Sequence, residues 1–196
     1  MEPRIYLASR SPRRRELLHQ IGVRFDPVPF RSPSRQDPET LEDPLLAEFP
    51  EDYVRRVALA KASHAAYLIG LRRLLPRPVL AADTTLDVDG DIIGKPGNES
   101  DAFDILARLS GRGHLVLTAV AVVLEEHAEC LLSVSEVRFR AIDEKEIRGY
   151  IASGEPMDKA GAYGIQGRAA MFVEEIRGSH SGIVGLPLCE TALLLR

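Results

Sequence analysis

The sequence predicts an α/β fold on a mixed or largely antiparallel sheet, and three patterns carry that reading. Val54, Val57, Ala58, Ala65, Leu68 and Ile69 recur at helical spacing. Two long strand-like runs, about 114–125 and 129–140, meet near Glu126-His127, as the arms of a hairpin do. Leu86–Val88 and Ile92–Ile93 flank Asp89-Gly90, a two-residue turn signal.

In chain order, residues 4–8 read as a short strand, after which Ser11 stands where a helix N-cap belongs, with Pro12 at the first helical position. Leu17, Leu18 and Ile21 form that helix's apolar face and Gly22 stops it. Residues 26–50 are rich in Pro, Ser and acids and read as a long loop or lid. A long helix follows from Pro50, with Glu51 and Asp52 suited to its positive end. Val79–Asp83 is a short apolar strand, so Asp83 reads as the residue that ends it. Ala102, Ile105, Leu106 and Leu109 mark a third helix, closed by Ser110-Gly111. Asp143 and Glu146 have the spacing of a capping box opening a helix that runs to Gly154. Residues 171–176 form a last strand and Pro187 opens a terminal helix.

The composition is that of a globular chain. With 196 residues, 45% hydrophobic and 28% charged, one domain over 1–196 can bury roughly 70% of its unfolded surface. No apolar run approaches the roughly 20 residues of a membrane helix, and Met1-Glu2-Pro3-Arg4 does not read as a secretory leader. Cys130 and Cys189 are far apart, form no CxxC, and read as small buried residues in a reducing cytosol. A net charge of −4 argues against a protein that coats long nucleic acid. The 25 basic residues divide into 21 arginines and only Lys61, Lys95, Lys145 and Lys159. Lysine is therefore rare enough that its positions carry information.

Four places are suited to chemistry. Arg13, Arg14 and Arg15 crowd the start of a helix, an end that favours anions; a phosphate held there by N–H groups, Ser9 and guanidinium forks would account for them. The ordinary alternative is a solvated basic face. Lys61 stands at the edge of the long helix's stripe, where it either snorkels or serves a site. Asp83, followed by Thr84 and Thr85 and later by Gly94-Lys95-Pro96, offers a carboxylate able to orient a metal or take a proton from water; capping a turn is the ordinary alternative. The stretch Glu155–Gly167 is dense in glycine yet carries Ala, Tyr and Ile, with Lys159 suited to phosphate and Gln166 to a base edge or sugar.

Other chemistries fit poorly. Gly90-x-x-x-Gly94-Lys95 has one residue too few for a phosphate loop and Pro in place of Ser or Thr. Gly111-Arg112-Gly113 lacks a third glycine and precedes a strand. The histidines form no metal-ligand pair, His114 and His180 reading as strand or surface residues, and no GxSxG elbow occurs. One candidate base among many cations suits substitution at a polyphosphate.

Six blocks in order extend the reading: Leu7-Ala8-Ser9-x-Ser11-Pro12-Arg13-Arg14-x-Glu16-Leu17-Leu18, Ala82-Asp83-Thr84, Gly94-Lys95-Pro96, Ser110-Gly111-Arg112-x-His114 with Thr118-Ala119-Val120, the 155–167 stretch, and Gly185-Leu186-Pro187. Together they resemble the Maf family of nucleoside triphosphate pyrophosphatases over nearly the whole chain. The resemblance implies a two-lobed fold around an elongated mixed sheet, similar to the inosine triphosphatase type, with the active site in a cleft between the lobes. It implies hydrolysis of a nucleoside triphosphate to monophosphate and pyrophosphate with a divalent cation, Mg or Mn, in the cytoplasm. Asp83 takes the family's catalytic acidic position; Ser9, Arg14, Lys61, Lys95 and Lys159 fall at phosphate-side positions. Arg13, Thr84 and Gln166 match positions tied to base choice, in the manner of the branch acting on dTTP and UTP. The family's acidic segment after the first helix is replaced by Phe30–Glu39, lengthened and partly basic. Asp37 and Glu39 are the acids there, and the metal ligands stay unassigned. The competing expectation is a nucleotide-sensing regulator of septum formation, which would need the cations and Gln166 but not Asp83. A homodimer fits a chain of this size.

Overall fold

The structure, a computed structural model, describes residues 4–28 and 42–196. Its strands are β1 (Ile5–Leu7), β2 (Phe25–Pro27), β3 (Val79–Val88), β4 (Asp91–Ile93), β5 (Gly113–Leu124), β6 (His127–Phe139) and β7 (Val173–Arg177). The helices are α1 (Pro12–Gln20), α2 (Pro50–Leu71), α3 (Glu99–Leu109), α4 (Glu144–Ile151), α5 (His180–Val184) and α6 (Leu188–Leu194). The strands form one seven-stranded mixed sheet, ordered β2-β1-β3-β5-β6-β7 with β4 paired to β3. β1 pairs in parallel with β2 and β3, and the other pairings are antiparallel.

Local chemistry sets most of these boundaries. The Ser11 side chain accepts from the Arg14 N–H with Pro12 at the first turn, and Asn98 caps α3 in the same way. Asp143 and Glu146 form a reciprocal capping box at α4, a device worth about 1 kcal/mol for its cap alone. Asp89 and Gly90 both take positive φ in the β3–β4 turn, as a tight right-twisted hairpin requires.

Two lobes share the sheet. On one face α2 buries Val54, Val57, Ala58, Ala62 and Ala65 against Val79, Ala81, Leu117 and Ala119. On the other, Leu17 and Leu18 of α1 pack with Leu80, Ala82, Val120 and Leu186 at one end. At the other end α3, α4 and the 155–172 region enclose Leu86, Leu106, Phe139, Tyr150 and Phe172.

Several expectations need correcting. β3 does not stop at Asp83; it continues to Val88, because Thr84 and Thr85 are β-branched and pair in register with Thr118 and Leu117 of β5. α4 ends at Ile151, three residues before the left-handed Gly154. The five-residue α5 was hidden in sequence by its two glycine neighbours, Gly178 and Gly185. Neither cysteine is a buried core residue: Cys130 is half-buried and Cys189 exposed, on the outward side of α6.

The consequence for function lies along one edge of β3. β1 pairs with β3 only at Val79 and Leu80, and β4 pairs with it only from Leu86 onward. Between them, among the described residues, β3 has a strand neighbour on the β5 side alone. Adjacent residues of a strand point to opposite faces, so this gap lets Asp83, on the α2 face, and Thr84, on the α1 face, open onto one space.

Candidate active site

All nine side chains singled out from the sequence line one cleft of about 770 Å³: Ser9, Arg13, Arg14, Lys61, Asp83, Thr84, Lys95, Lys159 and Gln166. Arg10 adds a sixth basic group, and the carboxylates of Glu42, Asp83, Glu155 and Asp158 complete the charged lining. Cations in excess suit a polyanionic occupant.

The centre of the cleft is an ammonium between two carboxylates. Lys61, on the face of α2 turned to the sheet, places Nζ 2.7 Å from Asp83 Oδ1 and 2.5 Å from Glu42 Oε1. Asp83 is only 8% exposed, so it needs a partner close by. Lys61 therefore lines the cleft paired with two carboxylates, where a snorkelling side chain would run out to solvent. Glu42 was missed in sequence. The acids considered there, Asp37 and Glu39, lie outside the described residues. Contacts to α2 set the position of Glu42: the Tyr53 hydroxyl donates to its carbonyl at 2.7 Å. Arg56 holds Glu48 at 2.6 and 2.8 Å and donates to the Asp43 carbonyl. Burial raises the Glu42 pKa, but Lys61, Lys95 and Arg14 outweigh it and hold the carboxyl below its usual value.

The arginine run divides by helical rotation: Arg15 faces solvent, while Arg13 and Arg14 reach the cleft. Arg14 is a brace as well as a charge. Its Nε donates to the Gly185 carbonyl at 2.7 Å, and its two terminal nitrogens lie 3.4 Å from Ser9 Oγ and Thr84 Oγ1. Burial lowers its pKa, with Asp83 opposing. Ser9 Oγ also accepts from the Ser11 N–H at 3.2 Å, which leaves its own proton to donate, as a phosphate oxygen would require.

The glycine-rich stretch is a built wall. Short 3-10 turns at Glu155–Asp158, Ala160–Ala162 and Arg168–Phe172 make up most of it. Gly161 takes φ +72, and a Cβ there would fall 2.3 Å from Leu86 Cδ2. Glu155 spans the stretch: it accepts from Tyr150 Oη at 2.9 Å and from the Arg168 N–H at 3.1 Å. Tyr150 Oη in turn accepts from the Gly164 N–H. Gln166 is thereby held from both sides while its amide makes no hydrogen bond to a described residue. Lys159 is already engaged, with Nζ 2.6 Å from the Glu155 carbonyl and 2.5 Å from Asp158. Lys95 lines the cleft without such a partner among the described residues. No cluster of three or more His, Cys, Asp or Glu able to hold a metal occurs among the described residues.

Behind this wall His114 is buried on β5, with Nε2 2.9 Å from Tyr163 Oη. Its Nδ1 has no partner, which favours the neutral tautomer that carries its proton on Nε2 and donates to Tyr163. Phe139 and Tyr163 meet the imidazole edge-on. Burial, aided by Arg112, depresses its pKa to about 4.

A mixed sheet opened at one edge onto a cation-rich cleft with one near-buried carboxylate defines an α/β protein whose cleft suits a polyanion. The chain belongs to the Maf family, whose sequence profile, described as Maf-like protein, matches residues 4–196. It is 60% identical over 193 residues to the dTTP/UTP pyrophosphatase of Dechloromonas aromatica, covering 98% of this chain and 96% of that protein. The dTTP/UTP pyrophosphatase of Aromatoleum aromaticum is 58% identical over 196 residues, 100% of this chain and 95% of its own. That of Ralstonia nicotianae is 55% identical over 197 residues, 98% of this chain and 93% of its own. Among solved structures, the Staphylococcus aureus Ham1 protein matches with a TM-score of 0.44 at 14% identity, covering 69% of this chain and 71% of that one.

His114 makes a pH prediction. Its folded pKa lies below the unfolded value near 6.5, so the unfolded chain binds the extra proton between pH 6.5 and about 4. Stability present above pH 6.5 is therefore lost as the pH falls through that window, by about 3 kcal/mol for this group. Urea unfolding of the wild type and of His114→Gln should show the loss from pH 6.5 to 4 to be smaller in the variant; equal losses would contradict the assignment.

Proposed function

We propose that this chain hydrolyses nucleoside triphosphates, dTTP and UTP before others, to the nucleoside monophosphate and pyrophosphate. The observation that carries the reading is Asp83, a carboxylate 8% exposed and set among the cations of the cleft. Relatives 53–60% identical and named dTTP/UTP pyrophosphatase support the substrate class. We treat residues 1–196 as one domain acting in the cytoplasm. Separately, no helix among the described residues is long and apolar enough to cross a membrane.

In this reading Ser9, Arg14, Lys61 and Lys95 hold the phosphate chain, with Lys159 supplying its remaining donor capacity from the wall. Arg13, Thr84 and Gln166 face the nucleoside. Asp83 accepts a proton from the attacking water, whose oxygen bonds to the α-phosphorus. The bond from that phosphorus to the α–β bridging oxygen breaks, and its electron pair leaves with pyrophosphate. The cations stabilise charge as it moves onto the leaving oxygens.

A divalent cation fits the donor set. Asp83 and Glu42 already converge on a single positive centre, the Lys61 ammonium, and Mg²⁺ is commonly held by one or two carboxylates together with substrate phosphates. Asp83 and Glu42 would be its protein ligands, and bound there it would neutralise phosphate charge. A binder without catalysis is the weaker reading: a buried carboxylate facing a polyphosphate repels it, so a sensor would do better without Asp83.

Three experiments test this reading. Chromatography of products from UTP should give UMP and pyrophosphate, and Asp83→Asn should abolish turnover while nucleotide binding stays measurable. UDP with orthophosphate, or near-normal turnover in the variant, would contradict it. Glu42→Gln should raise the Mn²⁺ concentration required for half-saturation by at least the roughly 10-fold that losing even an outer partner of a metal costs. Paramagnetic titration of Mn²⁺ in the presence of a non-hydrolysable UTP analogue reads this without turnover, and an unchanged affinity would remove Glu42 from the metal site.

A further inference from the structure

The hydroxyl protons around Thr84 have only one consistent arrangement. Thr118 stands directly opposite Thr84 across β3 and β5 and is fully buried. Its Oγ1 lies 2.8 Å from the Gly182 carbonyl oxygen and 3.0 Å from Thr84 Oγ1. A carbonyl only accepts, and a hydroxyl has one proton. Two oxygens 2.8 Å apart with no proton between them would repel, so the Thr118 proton belongs to Gly182. The Thr84–Thr118 contact is then a hydrogen bond only if Thr84 donates. Arg14 Nη2 donates to Thr84 Oγ1 at 3.4 Å. The chain of donors therefore runs one way: Arg14, Thr84, Thr118, Gly182.

Thr84 is therefore not a free donor. Its proton is directed away from the cleft, one lone pair is met by Arg14, and the other lone pair remains. Thr84 meets a substrate as an acceptor.

We propose that Thr118 is a positioning residue for base choice: it fixes Thr84 as an acceptor toward the nucleobase, which favours the N3–H of uracil and thymine over the unprotonated N3 of cytosine. The inference rests on the function proposed above and extends it to a buried residue that touches no substrate. Without the Thr118 hydroxyl, the Thr84 proton is free to turn into the cleft and serve cytosine equally well.

The experiment compares UTP with CTP. Thr118→Val keeps the shape of the side chain and removes the hydroxyl. It should lower the UTP-to-CTP ratio of kcat/KM by about tenfold, the scale of one hydrogen bond of moderate strength. Thr118→Ser should restore the wild-type ratio. In a Thr84→Val background, Thr118→Val should produce no further change in the ratio. Thr118→Ala removes the same hydroxyl with less bulk and must shift the ratio in the same direction, which keeps the test open if the valine protein does not fold. Equilibrium affinities for UTP and CTP, by titration calorimetry, should show the same loss of preference. They report on Thr118 even without turnover, whereas absent turnover in the wild type would count against the proposed activity alone. A ratio unchanged by both substitutions, with all nucleotides weakened alike, would overturn the inference, as would a serine variant that behaves like valine.

Discussion

One ammonium between two carboxylates is the contact on which the rest of the site depends. Asp83 sits in mid-strand with little access to water, and an ionised carboxylate there is costly to hold without a close opposite charge. Lys61 supplies that charge, and it can do so because the alanine- and valine-rich stripe of α2 lies flat on the sheet and brings the helix backbone close. Glu42 completes the group from a third segment, carried to it by Tyr53 and Arg56 on the same helix. α2 therefore orients all three members of the centre. Its packing against β3 and β5 is a functional constraint as much as a source of stability.

The second constraint is the gap in the sheet. A continuous strand neighbour along β3 would put Asp83 and Thr84 on opposite sides of a closed layer. Because β1 ends at Leu7 and turns into α1, and β4 pairs only from Leu86, the two faces communicate across Asp83–Thr85. The same turn delivers Ser9 and the start of α1 to the edge of the opening. Arg14 then ties α1 to Thr84 and to the Gly185 carbonyl, which explains why a Gly-Leu-Pro turn near the carboxyl end travels with a site built mostly from the first half of the chain.

What the sequence made legible was local. The Ser11-Pro12 start, the Asp143–Glu146 capping box and the Asp89-Gly90 turn are each specified within a few residues, and each was found where expected. The nine candidate residues came from their own chemistry and from the resemblance of ordered blocks, and one cleft gathers all nine of them. What escaped was non-local. Asp83 looked like the end of a strand because Thr84 and Thr85 gain their strand character from partners on β5 more than thirty residues away. Glu42 looked like one acid among several in a Pro-rich segment, since only Lys61 and the Tyr53 hydroxyl distinguish it. The polarity of Thr84 depends on a carbonyl in α5, a helix too short and glycine-flanked to be read from its own residues.

In the proposed reaction water attacks the α-phosphorus beside Asp83. Hydrolysis of UTP in ¹⁸O-labelled water, followed by mass spectrometry of both products, tests it directly. Attack at that phosphorus puts label in the monophosphate and none in pyrophosphate. Label in pyrophosphate would mean attack at the β-phosphorus and would contradict it.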